Sequence, residues 1–200
     1  RWQSDYADQF ETIVRETAQA TGVDICVENM FPWKVGGRGI KAYKPSPDPL
    51  EMDVDAMTLD FSHASLAGRD SLQMAQAMGD RLKHIHLCDG SRSADEGQIL
   101  DEHLPPGRGT QPVAETLTWL AENHWSGNVV AEVITRKEKE QQPKLDVLVE
   151  TVAFAKRYIG QEHAERDPIA SGAQVMQSAR KERRAAKRDS RTDARGTDRG

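Results

Sequence analysis

Apolar residues recur every third or fourth position at the start of the chain, then every second position in four later segments. That change of period predicts the fold. Tyr6, Phe10, Ile13, Val14 and Thr17 line one side of a helix over about residues 4–20, with Gly22 as the stop signal. Period-two alternation then marks strands at about 23–29, 56–61, 82–88 and 128–134. Helical spacing returns at 70–78, with Leu72, Ala75 and Met78 on one side. It returns again from Thr110, a candidate N-cap with Pro112 in the first turn, through Val113, Leu117 and Leu120. A last helix at 143–158 carries Leu145, Leu148, Val149, Val152 and Ala153 in register, with Phe154 beside them. Two segments read as long loops: 31–49, with Gly36, Gly37, Gly39, Pro45, Pro47 and Pro49 as breakers, and 89–109.

A helix followed by four strands joined by crossovers indicates an α/β fold with a parallel sheet, its faces covered by helices. A four-stranded doubly wound domain and half of a (β/α)8 barrel both fit that order. The strand ends choose between them. Each strand carries an ionisable residue near its carboxyl end: Glu28, Asp60, His86 and Glu132. Strands in an open sheet lie about 4.8 Å apart, so four such groups would spread along an edge. Only a sheet that curves brings them to one point, and the barrel is the expected form.

Parity sharpens this. Glu28 shares a face with Asp24 and Cys26, Asp60 with Thr58, His86 with His84 and Cys88, and Glu132 with Val130 and Ile134. The opposite sets (Val23, Ile25, Val27; Ile85, Leu87; Val129, Ala131, Val133) are apolar and suited to packing against outer helices. The ionisable set therefore faces the barrel interior, where a lone carboxylate is costly unless paired or bound to metal. Any one of these residues has a bland account as an ion pair or a core histidine. Taken together they describe a divalent-metal site of three carboxylates and one imidazole, suited to Mn²⁺ or Mg²⁺, with Co²⁺ or Zn²⁺ also accommodated. His84, a layer deeper, reads as a core hydrogen-bonding group.

Composition limits the partners. The apolar fraction is 37%, 30% of residues are charged, and no apolar run approaches the length of a membrane span. No signal-peptide pattern appears. Cys26 and Cys88 lie inside expected strands and form neither a disulfide framework nor a Cys-x-x-Cys site, so a cytoplasmic location is expected. Residues 161–200 carry 10 Lys/Arg against 7 Asp/Glu, whereas residues 1–160 carry 17 against 25. The body is thus acidic and ill suited to a duplex, whose affinity rests on phosphate neutralisation. The segment 161–200 reads as a basic, disordered tail following a single domain at 1–160, with a contact role for Lys181–Arg188 as the other reading.

The segments Val27-Glu28-Asn29, Leu59-Asp60-Phe61-Ser62-His63, His84-Ile85-His86-Leu87-Cys88-Asp89 and Val130-Ala131-Glu132-Val133 resemble the last four strand ends of the xylose isomerase-like TIM barrels. The resemblance covers about residues 1–158. That superfamily joins sugar phosphate isomerases and epimerases with the endonuclease IV family of abasic-site nucleases. For an isomerase or epimerase of a sugar or sugar phosphate, the resemblance implies one metal held by Glu28, Asp60, His86 and Glu132. Glu28 and Glu132 would also exchange carbon-bound protons on opposite faces of the substrate through a metal-stabilised enediolate. His63 and Arg92 match positions that bind substrate oxygens.

In the nuclease branch the resemblance implies further metal ligands at His63, Asp101 and His103. Gly107-Arg108-Gly109 admits two readings, a phosphate cradle that includes Arg108 or a tight turn. Trp33 either covers substrate or packs within the first loop. The acidic body favours a small sugar or polyol as substrate over nucleic acid. No membrane partner is expected, and a homo-oligomer is left open. Four strands are half of a barrel that typically takes about 250 residues. The chain starts at Arg1 rather than Met, and the resemblance places strands one to four upstream of it. Alone, the chain is expected to self-associate and to show little activity.

Overall fold

A computed structural model describes residues 2–35, 38–40, 43–91 and 101–160. The expected basic tail, and Arg92 with it, lie outside the described residues. Four parallel strands form one sheet in the order β1 (Val27–Glu28), β4 (Met57–Asp60), β5 (Leu82–Leu87) and β6 (Asn128–Ala131). Helix α1 (Trp2–Thr21) precedes the sheet. Helices α2 (Phe61–Leu66) and α3 (Ser71–Met78) link β4 to β5, α4 (Val113–Glu122) links β5 to β6, and α5 (Gln141–Ile159) follows β6.

The core sits where β4 and β5 meet α3 and α4. Met57 and Leu59 on β4, with Ile85 and Leu87 on β5, are at most 1% exposed, as the alternation requires. They pack with Met74, Ala75 and Met78 of α3 and with Val113, Leu117 and Leu120 of α4. Asp70 caps α3 by accepting from the Gln73 amide, and Trp125 ties the end of α4 to β5 through an indole hydrogen bond to the Leu82 carbonyl.

Several local expectations are corrected. The first strand shrinks from 23–29 to two residues, because as an edge it pairs only with β4, whose ladder begins at Met57. The loop at 31–49 contains an antiparallel hairpin, β2 (Trp33–Val35) with β3 (Arg38–Ile40). A helix, α2, starts immediately after β4, with Asp60 itself as its N-cap. Thr110 does not cap α4; its hydroxyl bonds the Gly90 carbonyl, and the N-cap position falls to Pro112. In α3 the buried face uses Met74, not Leu72. In α5 the expected apolar stripe is the exposed one, with Leu145 43%, Val149 67% and Val152 42% exposed. The helix instead packs through Thr151, Phe154, Ala155, Tyr158 and Ile159.

Candidate functional site

Strand ends deliver the site. Glu28 is the last residue of β1, Asp60 the last of β4, His86 the penultimate residue of β5, and Glu132 follows β6 directly. β1 and β6 are the outer strands of the sheet, three spacings or about 14 Å apart if it were flat. Yet Glu28 Oε1 and Glu132 Oε2 lie 3.2 Å and 2.8 Å from the same atom, His86 Nδ1. The sheet is therefore curved around this point.

Asp60 is wholly buried at the centre. Its Oδ1 accepts the His63 amide at 2.8 Å, the capping bond that starts α2, while Oδ2 stands 3.6 Å from His86 Nδ1 and 3.4 Å from His103 Nε2. The carboxamide of Asn29 holds the Asp60 backbone from both sides, accepting its amide at 2.7 Å and donating to its carbonyl at 3.0 Å. One turn into α2, His63 Nδ1 meets Glu28 Oε1 and the Asn29 carbonyl at 3.0 Å, and its Nε2 meets Asp101 Oδ2 at 3.2 Å. Asp101 also faces His103 Nδ1 at 3.1 Å and accepts from Ser62 Oγ at 2.7 Å. Phe31, 4% exposed, leans over the His63 ring with centroids 5.1 Å apart.

The loop that carries Asp101 and His103 is clamped at its base. Asp89 and Leu104 exchange two backbone hydrogen bonds of 2.8 Å. The buried Asp89 carboxylate then accepts from the amides of Gly90, Gly107, Gly109 and Gln111. Burial pushes the Asp89 carboxyl up against those four donors. A Cβ on Gly109 would run into that carboxylate and the Gly90 carbonyl, and Gly107 has φ of +82°. Of the two readings of Gly107-Arg108-Gly109, the structure shows the turn: its amides serve Asp89. Arg108 Nη2 pairs with Glu150 of α5 at 2.7 Å.

The electrostatics are those of cations held in a carboxylate cage. Hydrogen bonds to Asp60 and Glu28 raise His86 to about 10. Burial works against the charge on His63 and His103, but Asp101 and Glu28 for the first, and Asp101 and Asp60 for the second, outweigh it. His63 reaches about 11 and His103 about 10. Burial likewise opposes the charge on Asp60, Asp101 and Glu28, and the surrounding imidazoles overcome it. Asp60 and Asp101 fall well below the usual carboxylate range, Glu28 less far. Three imidazoles thus carry the positive charge that a bound cation would otherwise supply, and ligand protons are what metal binding displaces.

The donor set fits a divalent metal on two further counts. Glu28, Asp60 and His86 offer ligand atoms all within 4.8 Å of one another, as do His63, Asp101 and His103. Among the described residues, His103 Nε2 is the buried side-chain polar atom with no hydrogen-bond partner. It lies near the Asp60 carboxylate without bonding alignment.

Of the residues named from sequence, Glu28, Asp60, His63, His86, Asp101, His103 and Glu132 stand together in one site. Trp33 lies in β2. His84, half-buried, stacks edge-on against His86 at 5.2 Å, and burial lowers its pKa. Sequence reasoning assigned no role to Asn29, Ser62, Cys88 or Asp89. Their signal was position, since each lies within three residues of Glu28, Asp60 or His86, and only the fold shows what it holds.

The chain belongs to the xylose isomerase-like TIM barrel family, whose profile matches residues 1–158. Uncharacterised proteins of Mycobacterium bovis and Mycobacterium tuberculosis are 41% identical over 178 residues, and that of Mycobacterium leprae is equally similar. Each match covers 80% of this chain and 62% of the relative, so the chain spans about three-fifths of the length of the curated relatives it matches. The crystal structure of a D-tagatose 3-epimerase-like protein shares the fold at 22% identity and a TM-score of 0.53, over 78% of this chain and 57% of its own.

Proposed function

We propose that the protein is a divalent-metal-dependent isomerase or epimerase of a small sugar, polyol or sugar phosphate. The observation that supports this best is the convergence of Glu28 and Glu132, from opposite edges of the sheet, on His86 Nδ1. Two carboxylates on either side of one centre are what proton removal and return at neighbouring carbons, or on two faces of one carbon, require.

Glu28, Asp60, His86 and Glu132 would hold the metal, which would polarise the substrate carbonyl and its adjacent hydroxyl as a Lewis acid. Asp60 is the fixed member, buried and locked by Asn29 and by the helix cap. Glu28 and Glu132, with side chains 28% and 47% exposed, keep oxygens open to a substrate. One of them takes a carbon-bound proton to leave an enediolate. The other, or the same one, returns it. His63 and Arg92 are proposed to bind substrate oxygens, and the likeness of the fold to a D-tagatose 3-epimerase-like protein agrees with a sugar as the substrate class.

Intact protein in deuterated water, offered a panel of ketoses, inosose-type polyols and their phosphates, should incorporate carbon-bound deuterium. Glu28→Gln and Glu132→Gln should each abolish incorporation while substrate still binds. Wild-type rates in either variant would remove the proton-transfer assignment. A second reading, metal-dependent cleavage of abasic-site DNA, is favoured by the His63, Asp101 and His103 cluster beside the first. Metal analysis separates the two readings. One Mn²⁺ or Mg²⁺ per chain supports the isomerase, whereas several zinc ions with cleavage of an abasic duplex support the nuclease.

A further inference from the structure

Cys88 has no part in the chemistry described so far, yet it adjoins the same cluster. It is fully buried, with Sγ 3.6 Å and 3.7 Å from the two Asp60 oxygens. Asp60 Oδ2 is in turn 3.4 Å from His103 Nε2, and the three donor atoms all lie within 4.8 Å of one another. In a tetrahedral zinc site with bonds of about 2.0 Å to O or N and about 2.3 Å to S, the O–N edge is about 3.3 Å and the S–O edge about 3.5 Å. The two measured edges already match that polyhedron.

His103 is set for this role. Its Nδ1 faces Asp101 at 3.1 Å, which holds the ring in place, and its Nε2, which gives up its proton on binding metal, lies 3.4 Å from Asp60 Oδ2. That nitrogen is buried without a hydrogen-bond partner, an arrangement that proteins rarely tolerate without a ligand. The residue also holds φ of +40°, an unfavourable backbone for histidine, sustained by the clamp on either side of it. The antiparallel bridge between Asp89 and Leu104 joins the two segments that carry Cys88 and His103, whose donor atoms lie within 4.8 Å of one another.

We propose that Cys88, Asp60 and His103 form a soft-donor metal position that takes a thiophilic divalent cation such as Zn²⁺ or Co²⁺. It adjoins the oxygen-rich position of Glu28, His86 and Glu132, with Asp60 shared between them. The inference rests on the reading of this cavity as a metal site and adds a donor that the reading lacked. Ligation exchanges the thiol proton, released to water, for the sulfur–metal bond. A thiolate shifts selectivity away from Mg²⁺ and Mn²⁺.

The test is optical and needs no turnover. Full-length protein stripped with a chelator and titrated with Co²⁺ should develop a near-ultraviolet thiolate-to-cobalt charge-transfer band. The band should persist in Cys26→Ser and vanish in Cys88→Ser. Zinc affinity should fall at least roughly tenfold in Cys88→Ser, with Mn²⁺ affinity changed less than about twofold. Absence of cobalt binding, cobalt binding without the band in wild type, or equal losses for zinc and manganese in Cys88→Ser would each overturn the proposal. The band without proton exchange on any sugar upholds thiolate ligation and removes the isomerase reading. Exchange without the band does the reverse.

Discussion

The middle of the sheet and its two flanks are built differently. At β4 and β5 the apolar side chains are closed off from water, and Asp60 lies among them with no exposure. At the flanks apolar groups face outward: Val23 beside β1 is 61% exposed, and Val149 on α5 is 67% exposed. A cavity of about 290 Å³ opens between α1 and the chain entering β1, lined in part by Val14, Val23, Ile25 and Val54. The same gradient runs through the site. Its buried anchor comes from the middle, and its exposed glutamates come from the flanks. On the proposed function, rigidity falls where a metal would be fixed, and access where protons would move.

The comparison breaks most sharply at Asp60. Asp60→Asn keeps the shape but leaves three imidazoles facing a neutral group in a buried setting. Removing one partner of a buried ion pair typically costs about 3–5 kcal/mol. Divalent-metal affinity should fall by at least about a hundredfold, in parallel with a lower denaturation midpoint. Glu132→Gln, at the exposed end, should leave the unfolding free energy within about 0.5 kcal/mol of wild type. Denaturant titration of both variants, with metal titration beside it, checks the contrast. Equal destabilisation would mean that anchor and flank are not distinct.

A pH series probes the same cage as a whole. Without metal, His63, His86 and His103 are raised to about 11, 10 and 10, so the stability they supply is complete below their unfolded value of about 6.5. It is lost as pH climbs through about 10. Glu28, Asp60 and Asp101 are lowered, so their contribution holds above about pH 4 and is lost in acid. Chelated protein should therefore be most stable at about pH 4.5–6.5 and should soften steadily toward pH 10. Metal affinity should run the other way and rise with pH, since each ligating imidazole must shed its proton. Thermal melts across pH, with and without Mn²⁺, read both slopes. A chelated protein that gains stability between pH 7 and 10 would show that the imidazoles are not charged as inferred.

What was legible from sequence follows the same division. The four strands and the ionisable residues that converge at their ends could be read because parity in a strand is local and the central faces are apolar. The two-residue extent of β1 could not, since it depends on where the partner strand begins. The buried face of α5 was misread for a related reason. Hydrophobic spacing shows which residues share a side but not which side meets the core, and here Phe154, Tyr158 and Ile159 won over Leu145, Val149 and Val152. Asp101 and His103 were legible as a motif, but their placement depends on Asp89 gathering four amides from across the loop. No local pattern encodes that.

The exposed side of α5 supports the last prediction, whose effect on the isolated fold is the smallest. Leu145, Leu148, Val149 and Val152 follow i, i+3, i+4, i+7 spacing, which makes a continuous apolar ridge. β6 beside it offers an outer ladder edge. Such a surface favours contact with another apolar face, including that of a second copy of the chain. The chain should therefore self-associate in sedimentation experiments. Val149→Lys should change the denaturation midpoint of the dispersed chain by no more than about 0.5 kcal/mol, because the side chain already meets water. It should nonetheless weaken self-association severalfold. A chain that sediments as a monomer at all concentrations would show that the ridge carries no contact between copies.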